Sequence, residues 1–257
     1  MVHATAVSTD TVEFTAADWA PLVPVQVQVP PVPPEVPLVQ LTLAPWTAND
    51  RGGLFGMSIL DASGGATVTM GQFANKASSL AAILTPASTT PGELRSLRFA
   101  DRYPLGTSPI VLEIDGKVLP IVQAPAYDVA THQLAWQQSP ASGIASERSM
   151  AAGTIELIRG GVTALRWRVI AAPTPTAAPG PQSLRFPDLP GASPHEPMAS
   201  EKPSYVEIQL SATADDGLQR AFEEHERALS TDTTFGVPGT TFITRSTASI
   251  RSSNPTP

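Results

Sequence analysis

Cysteine is absent from this sequence. That excludes disulfides, thiol nucleophiles and cysteine-ligated zinc or iron–sulfur centres. Charge is also sparse: Asp, Glu, Lys and Arg make up 15% of residues, against a usual ~25%. The balance is acidic, with a formal net charge of −7, and the basic residues stand singly. A nucleic-acid binder needs a clustered basic face, so that class of partner is not expected. No apolar run approaches the ~20 residues of a membrane-crossing helix. The opening MVHATAVSTDTVEF has neither the basic nor the apolar region of a signal peptide. It reads as the start of a cytoplasmic chain or of a mature chain whose leader has been removed.

Catalytic signatures are missing too. There is no G-x-S-x-G elbow, H-E-x-x-H pair, phosphate-binding loop, G-x-G-x-x-G turn or EF-hand loop. Gly52-Gly53-Leu54-Phe55-Gly56 lacks the spacing and the following helix that a phosphate cradle requires, and reads as a turn. The few ionisable candidates point the same way. Of the four histidines, His195 adjoins Glu196, but neighbouring side chains in an extended loop diverge and make a poor metal pair. His225 would share a helical face with Ala221, Phe222, Ala228 and Leu229, none of which binds metal. Asp101, Asp115, Asp188 and Asp215 are expected in turns, where carboxylates usually accept local backbone hydrogen bonds. No cofactor is expected, with Ca²⁺ between such loops as the one alternative.

Proline is plentiful, at 27 residues, and each costs about 3 kcal/mol inside a helix. With short apolar runs between the prolines, the chain predicts an all-β protein. Val25, Val27 and Val29 alternate with Gln26 and Gln28, the period-2 mark of a half-buried strand; the flanking prolines suggest a sheet edge or an extended arm. Pro30 to Pro37 reads as a polyproline connector. Further strands are expected at Leu38–Leu43, Leu94–Phe99, His132–Trp136, Thr154–Ile158, Val162–Ile170 and Tyr205–Leu210, while Ser79–Leu84 reads as a strand or one helical turn. Leu54–Leu60 and Ala66–Met70 look like a hairpin. So do Ile110–Ile114 and Lys117–Val122 around Asp115-Gly116, the dipeptide favoured in a type I′ turn. One helix is expected near Gly217–Leu229, with Leu218, Phe222, His225 and Leu229 on one face.

Ser96-Leu97-Arg98-Phe99 recurs as Ser183-Leu184-Arg185-Phe186, each after a Pro-containing loop and before a further strand. The recurrence predicts two tandem antiparallel β-sandwiches of about the size of an immunoglobulin domain. The resulting division is an arm at 1–21, sandwiches at 22–118 and 119–213, and a short helix with a Ser/Thr-rich tail at 214–257. In the second unit, Leu134-Ala135-Trp136, Leu165-Arg166-Trp167-Arg168-Val169 and Leu184–Pro190 follow one another in an order that resembles fibronectin type III-like modules of secreted bacterial proteins. Tyr205 is the candidate for the tyrosine corner of such modules. The resemblance implies adhesion, spacing or ligand binding at the cell surface or outside the cell, and no chemistry. Among the four tryptophans, Trp136 and Trp167 sit in apolar strands and are expected in the core. Trp46, beside Pro45 and a polar turn, is the candidate ligand contact. The alternatives are a structural subunit of a fibre, capsid or injection machine that self-associates through its arms, and a β-sandwich hydrolase with an unrecognised site.

Overall fold

The computed structural model describes residues 22–32, 36–45, 56–61, 64–74, 78–104, 106–113, 119–139, 149–159, 162–171, 180–188, 197–198, 201–213 and 242–251. Fourteen strands and no helix are found among them. The first seven are β1 (Leu22–Val29), β2 (Leu38–Pro45), β3 (Gly56–Leu60), β4 (Ala66–Phe73), β5 (Ser78–Thr85), β6 (Glu93–Tyr103) and β7 (Ile110–Val111). The others are β8 (Val122–Asp128), β9 (Gln133–Gln138), β10 (Ser149–Arg159), β11 (Val162–Ala171), β12 (Gly180–Arg185), β13 (Lys202–Thr213) and β14 (Phe242–Arg251). The 1–21 arm, the 217–229 helix, the Asp115-Gly116 turn and Trp46 lie outside the described residues.

One eight-stranded sheet, in the order β11-β10-β13-β14-β6-β5-β2-β3, spans both halves of the chain. Two three-stranded sheets, β4-β1-β7 and β12-β9-β8, cover it. Period-2 alternation explains the layering. Val25, Val27 and Val29 of β1 are buried while Gln26 and Gln28 are exposed. The valines join Leu41 and Leu43 of β2, Leu80 and Leu84 of β5 and Phe99 of β6 in a first core. Leu134 and Trp136 of β9 and Phe186 join Ile155 of β10, Leu165 of β11 and Ile208 of β13 in a second. Ser246 of β14 lies opposite Leu97 of β6, and its hydroxyl accepts a 3.2 Å hydrogen bond from the Val122 N–H of β8. Leu97 belongs to the first core. Paired residues point to the same face of a sheet, so both small sheets cover one face of the large sheet and leave the other clear of either core.

The halves share a connectivity. Outward from the central β6–β14 pair, the order β6-β5-β2-β3 is matched by β14-β13-β10-β11, and β4-β1 by β12-β9. Strands β1 to β6 thus correspond one by one to β9 to β14. The third strand of each small sheet differs: β7 runs parallel to β1, whereas β8 runs antiparallel to β9.

This arrangement changes several sequence expectations. The two Ser-Leu-Arg-Phe segments are not equivalent: the first lies in β6 of the large sheet, and the second in β12 and its exit from a small one. The motif encodes only alternation, with Leu97 and Phe99 in one core and Phe186 in the other. The runs proposed as hairpins separate. β3 pairs with β2, and β4 pairs with β1. Likewise Ile110 pairs with Val27 of β1, and Val122 with Gln138 of β9. β1 is the middle strand of its sheet, not an edge; Pro24, which has no N–H, sits opposite Gly71 on β4. Asp101 lies within β6, not in a turn.

Candidate functional site

The outer face of the large sheet carries a row of polar side chains at matched register. Arg166 of β11 stands opposite Glu156 of β10, Glu156 opposite Tyr205 of β13, and Tyr205 opposite Arg251 of β14. One level along β13 on the same face stand Glu207 and then Gln209. Each position alternates with a residue of the second core: Leu165 and Trp167 flank Arg166, and Val206 and Ile208 flank Glu207. Because the core fixes one face of these strands, the polar row on the other is set by the same pleat.

The row is held by its own contacts. Arg166 Nε lies 3.6 Å from Glu156 Oε1. The Tyr205 hydroxyl donates to Glu207 Oε2 at 2.5 Å, and the Arg251 guanidinium carbon stands 5.3 Å from the Tyr205 ring centroid. Burial pushes the Tyr205 hydroxyl well above its ordinary value, and its bond to Glu207 adds to the shift. It therefore stays a proton donor across the physiological range. Gln209 Nε2 donates to Ser211 Oγ at 3.0 Å. The result is a flat array of alternating sign that presents two guanidiniums, a tyrosine ring and two carboxylates. Such a surface recognises polar partners by hydrogen bonding and stacking.

A second cluster sits at the end of the β12-β9-β8 sheet. His132 Nδ1 lies 3.0 Å from Asp188 Oδ1, and Arg185 Nη2 lies 2.9 Å from the other oxygen. The His132 backbone has φ 52°, and its carbonyl accepts the Phe186 N–H at 2.8 Å. Its ring meets the Trp167 edge with centroids 6.3 Å apart. Imidazole and carboxylate in contact are the base and orienting acid of a nucleophilic device, which also needs a hydroxyl in reach of the imidazole. Two nearby hydroxyls among the described residues have other hydrogen bonds: Thr131 donates to Asp128 at 2.8 Å, and Ser183 accepts from Gln133 at 2.9 Å. The His132 side chain is 13% exposed and that of Asp188 64%, and the pair ties the β8–β9 turn to the segment that follows β12.

The sequence-based candidates are dispersed. Trp46, His195, His225, Asp115 and Asp215 lie outside the described residues. Trp136 is buried in the second core. Trp167 stacks on Phe186, with centroids 6.0 Å and planes 5° apart. Tyr205 forms no corner, since its hydroxyl bonds to the Glu207 side chain on the outer face. Among the described residues, no three metal-ligating side chains converge. In the sequence the outer-face row is carried by the period of the series Tyr205-x-Glu207-x-Gln209 and Arg166-x-Arg168. No family model matches this chain, and no curated protein matches it.

Proposed function

We propose that this protein binds a partner without transforming it, as two tandem immunoglobulin- or fibronectin III-like sandwiches joined through one sheet and acting at the cell surface or outside the cell. The observation that carries this reading is the outer-face row of Arg166, Glu156, Tyr205 and Arg251, a rigid platform built from the residue types that dominate binding hot spots. Its alternating charge suits a polar partner such as a glycan or a protein surface. The test is a binding screen of the full chain against glycans and cell-wall fragments, followed by R166A, Y205A and R251A against whichever probe binds. Loss of affinity by roughly tenfold or more per variant, about 1.4 kcal/mol, with folding unchanged, supports the platform. Unchanged affinity in all three moves the site elsewhere.

The second reading is a structural subunit of a larger assembly. The seating of β14 favours it: a segment from the Ser/Thr-rich tail lies in the middle of the large sheet, between β13 and β6. Light scattering on the full chain and on a chain starting at Leu22, which keeps β1, tests the part played by the N-terminal arm at 1–21. An oligomer that becomes a monomer on truncation puts the assembly reading first.

A further inference from the structure

We infer that β14 can leave its own sheet and fill the same slot in a second copy of this chain. The inference is independent of the platform reading above. Thr213 at the end of β13 and Ile243 near the start of β14 are direct cross-strand partners, yet the 28 residues 214–241 separate the two strands in sequence. A hairpin joining adjacent antiparallel strands needs only about 2–5 residues. A chain of that length reaches at most roughly 95 Å when fully extended. The connection therefore does not compel β14 to return to the β13 it came from. Strands tied by tight turns have no such freedom, as β10 and β11 show, with Arg159 paired to Val162.

The slot itself is specific. β14 is paired along its length on both sides, with β13 and with β6, and β13 and β6 are not neighbours without it. Its departure strands the hydrogen-bonding groups of two edges, so the slot demands a strand. Two core-facing positions in the middle of the slot take small side chains. Ala248 is fully buried in the second core, and Ser246, 1% exposed, meets the β8 backbone. The strand that satisfies both edges and both small positions is the β14 sequence itself, so the partner is another copy of this chain. Exchange conserves every contact of the closed form and changes only which chain supplies the strand, as in domain swapping.

The absence of native cysteine makes the test clean. Gln209 and Thr247 are cross-strand partners on β13 and β14, within the Cα separation of about 4.4–6.8 Å that a disulfide bridges. The full chain carrying Q209C and T247C is unfolded, refolded over a range from micromolar to near-millimolar protein, oxidised, and run on non-reducing gels. Exchange gives disulfide-linked dimers and larger species whose share rises with concentration. A matched chain carrying E156C and R166C, on tightly connected β10 and β11, stays an intrachain product throughout. A second reporter, E207C with S249C, reads the same strands at a neighbouring pair. Intrachain product alone in both reporters at every concentration, or thiols left free in both, overturns the inference. So does linkage in the control equal to that in the reporters.

Discussion

Glu93 Oε1 accepts a 2.6 Å hydrogen bond from the Ala124 backbone N–H, and the two residues come from opposite halves of the molecule. Ala124 lies at an irregularity of β8 between Gln123 and Ala126, with φ 50°. A bulge of this kind turns backbone groups out of the ladder. The other carboxylate oxygen takes Arg95 Nη2 at 2.7 Å and the Ser88 hydroxyl. Burial pushes the Glu93 carboxyl up, but hydrogen bonds from Arg95, Ser88 and Ala124, with the Arg95 charge, together hold it below its ordinary 4.5.

Glu93 is fully buried at its side chain, so E93A leaves a guanidinium and an amide without their acceptor. The expected loss is about 3–5 kcal/mol, read as a lower urea midpoint. The lowered carboxyl value means that its stabilisation is present above pH 4.5 and lost as pH falls below it. E93Q should therefore be weaker than wild type at neutral pH and show a flatter acid limb. An acid limb as steep as that of wild type would mean that other carboxylates carry it.

Gly153 of β10 faces the second core directly. A Cβ there would stand 2.6 Å from Leu134 Cδ2 and 3.1 Å from Leu184 Cδ2, and Leu134 is fully buried. G153A is expected to cost about 1–3 kcal/mol by overpacking. The double variant G153A/L134A, which makes room, should recover part of that cost relative to the sum of the single changes; full additivity in denaturation would show that the contact has no role.

Phe186 fixes the aromatic centre of the second core. Trp167 stacks on it, and Tyr127 meets it edge-on with centroids 5.3 Å apart. F186A should destabilise by about 3–5 kcal/mol and reduce the near-ultraviolet circular dichroism of the folded protein. F99A, in the first core, should cost as much stability while sparing more of that signal.

Tyr103 and Tyr205 resist ionisation. Burial raises Tyr103, followed by the Asp101 and Glu113 charges; burial and then Glu207 raise Tyr205. A value raised in the fold gives stability that is complete below the ordinary 10.0 and declines above it. Phenolate absorbance should show Tyr103 and Tyr205 titrating late, and Y103F and Y205F should each make the alkaline limb shallower. A chain whose tyrosines all titrate together near 10.0 would contradict this.

Strand positions were largely legible, because alternation is local: Val25, Val27 and Val29, or Leu165, Trp167 and Val169, declare a buried face. The all-β class followed from proline and the short apolar runs. Partners were not legible. An Asp-Gly dipeptide signals a turn, but Ile110 and Val122 enter different sheets because distant strands bury them better. β14 was hard to weigh because its core-facing Ser246 and Ala248 are small, so its burial carries little hydrophobic signal. Glu93 resembled any surface carboxylate, since its amide donor lies 31 residues away. The polar row was visible as alternate Tyr, Glu and Gln, but only the register across β11, β10, β13 and β14 makes it one surface.

The central place of β14 also bears on how the molecule is made. During synthesis the strands β1 to β7 emerge first and can close the first core. The second half must wait with one edge of β13 unsatisfied until Phe242 and the nine residues after it leave the ribosome. Any product that stops short of them carries two open edges, which makes completion of the sheet a check on whether translation reached this point.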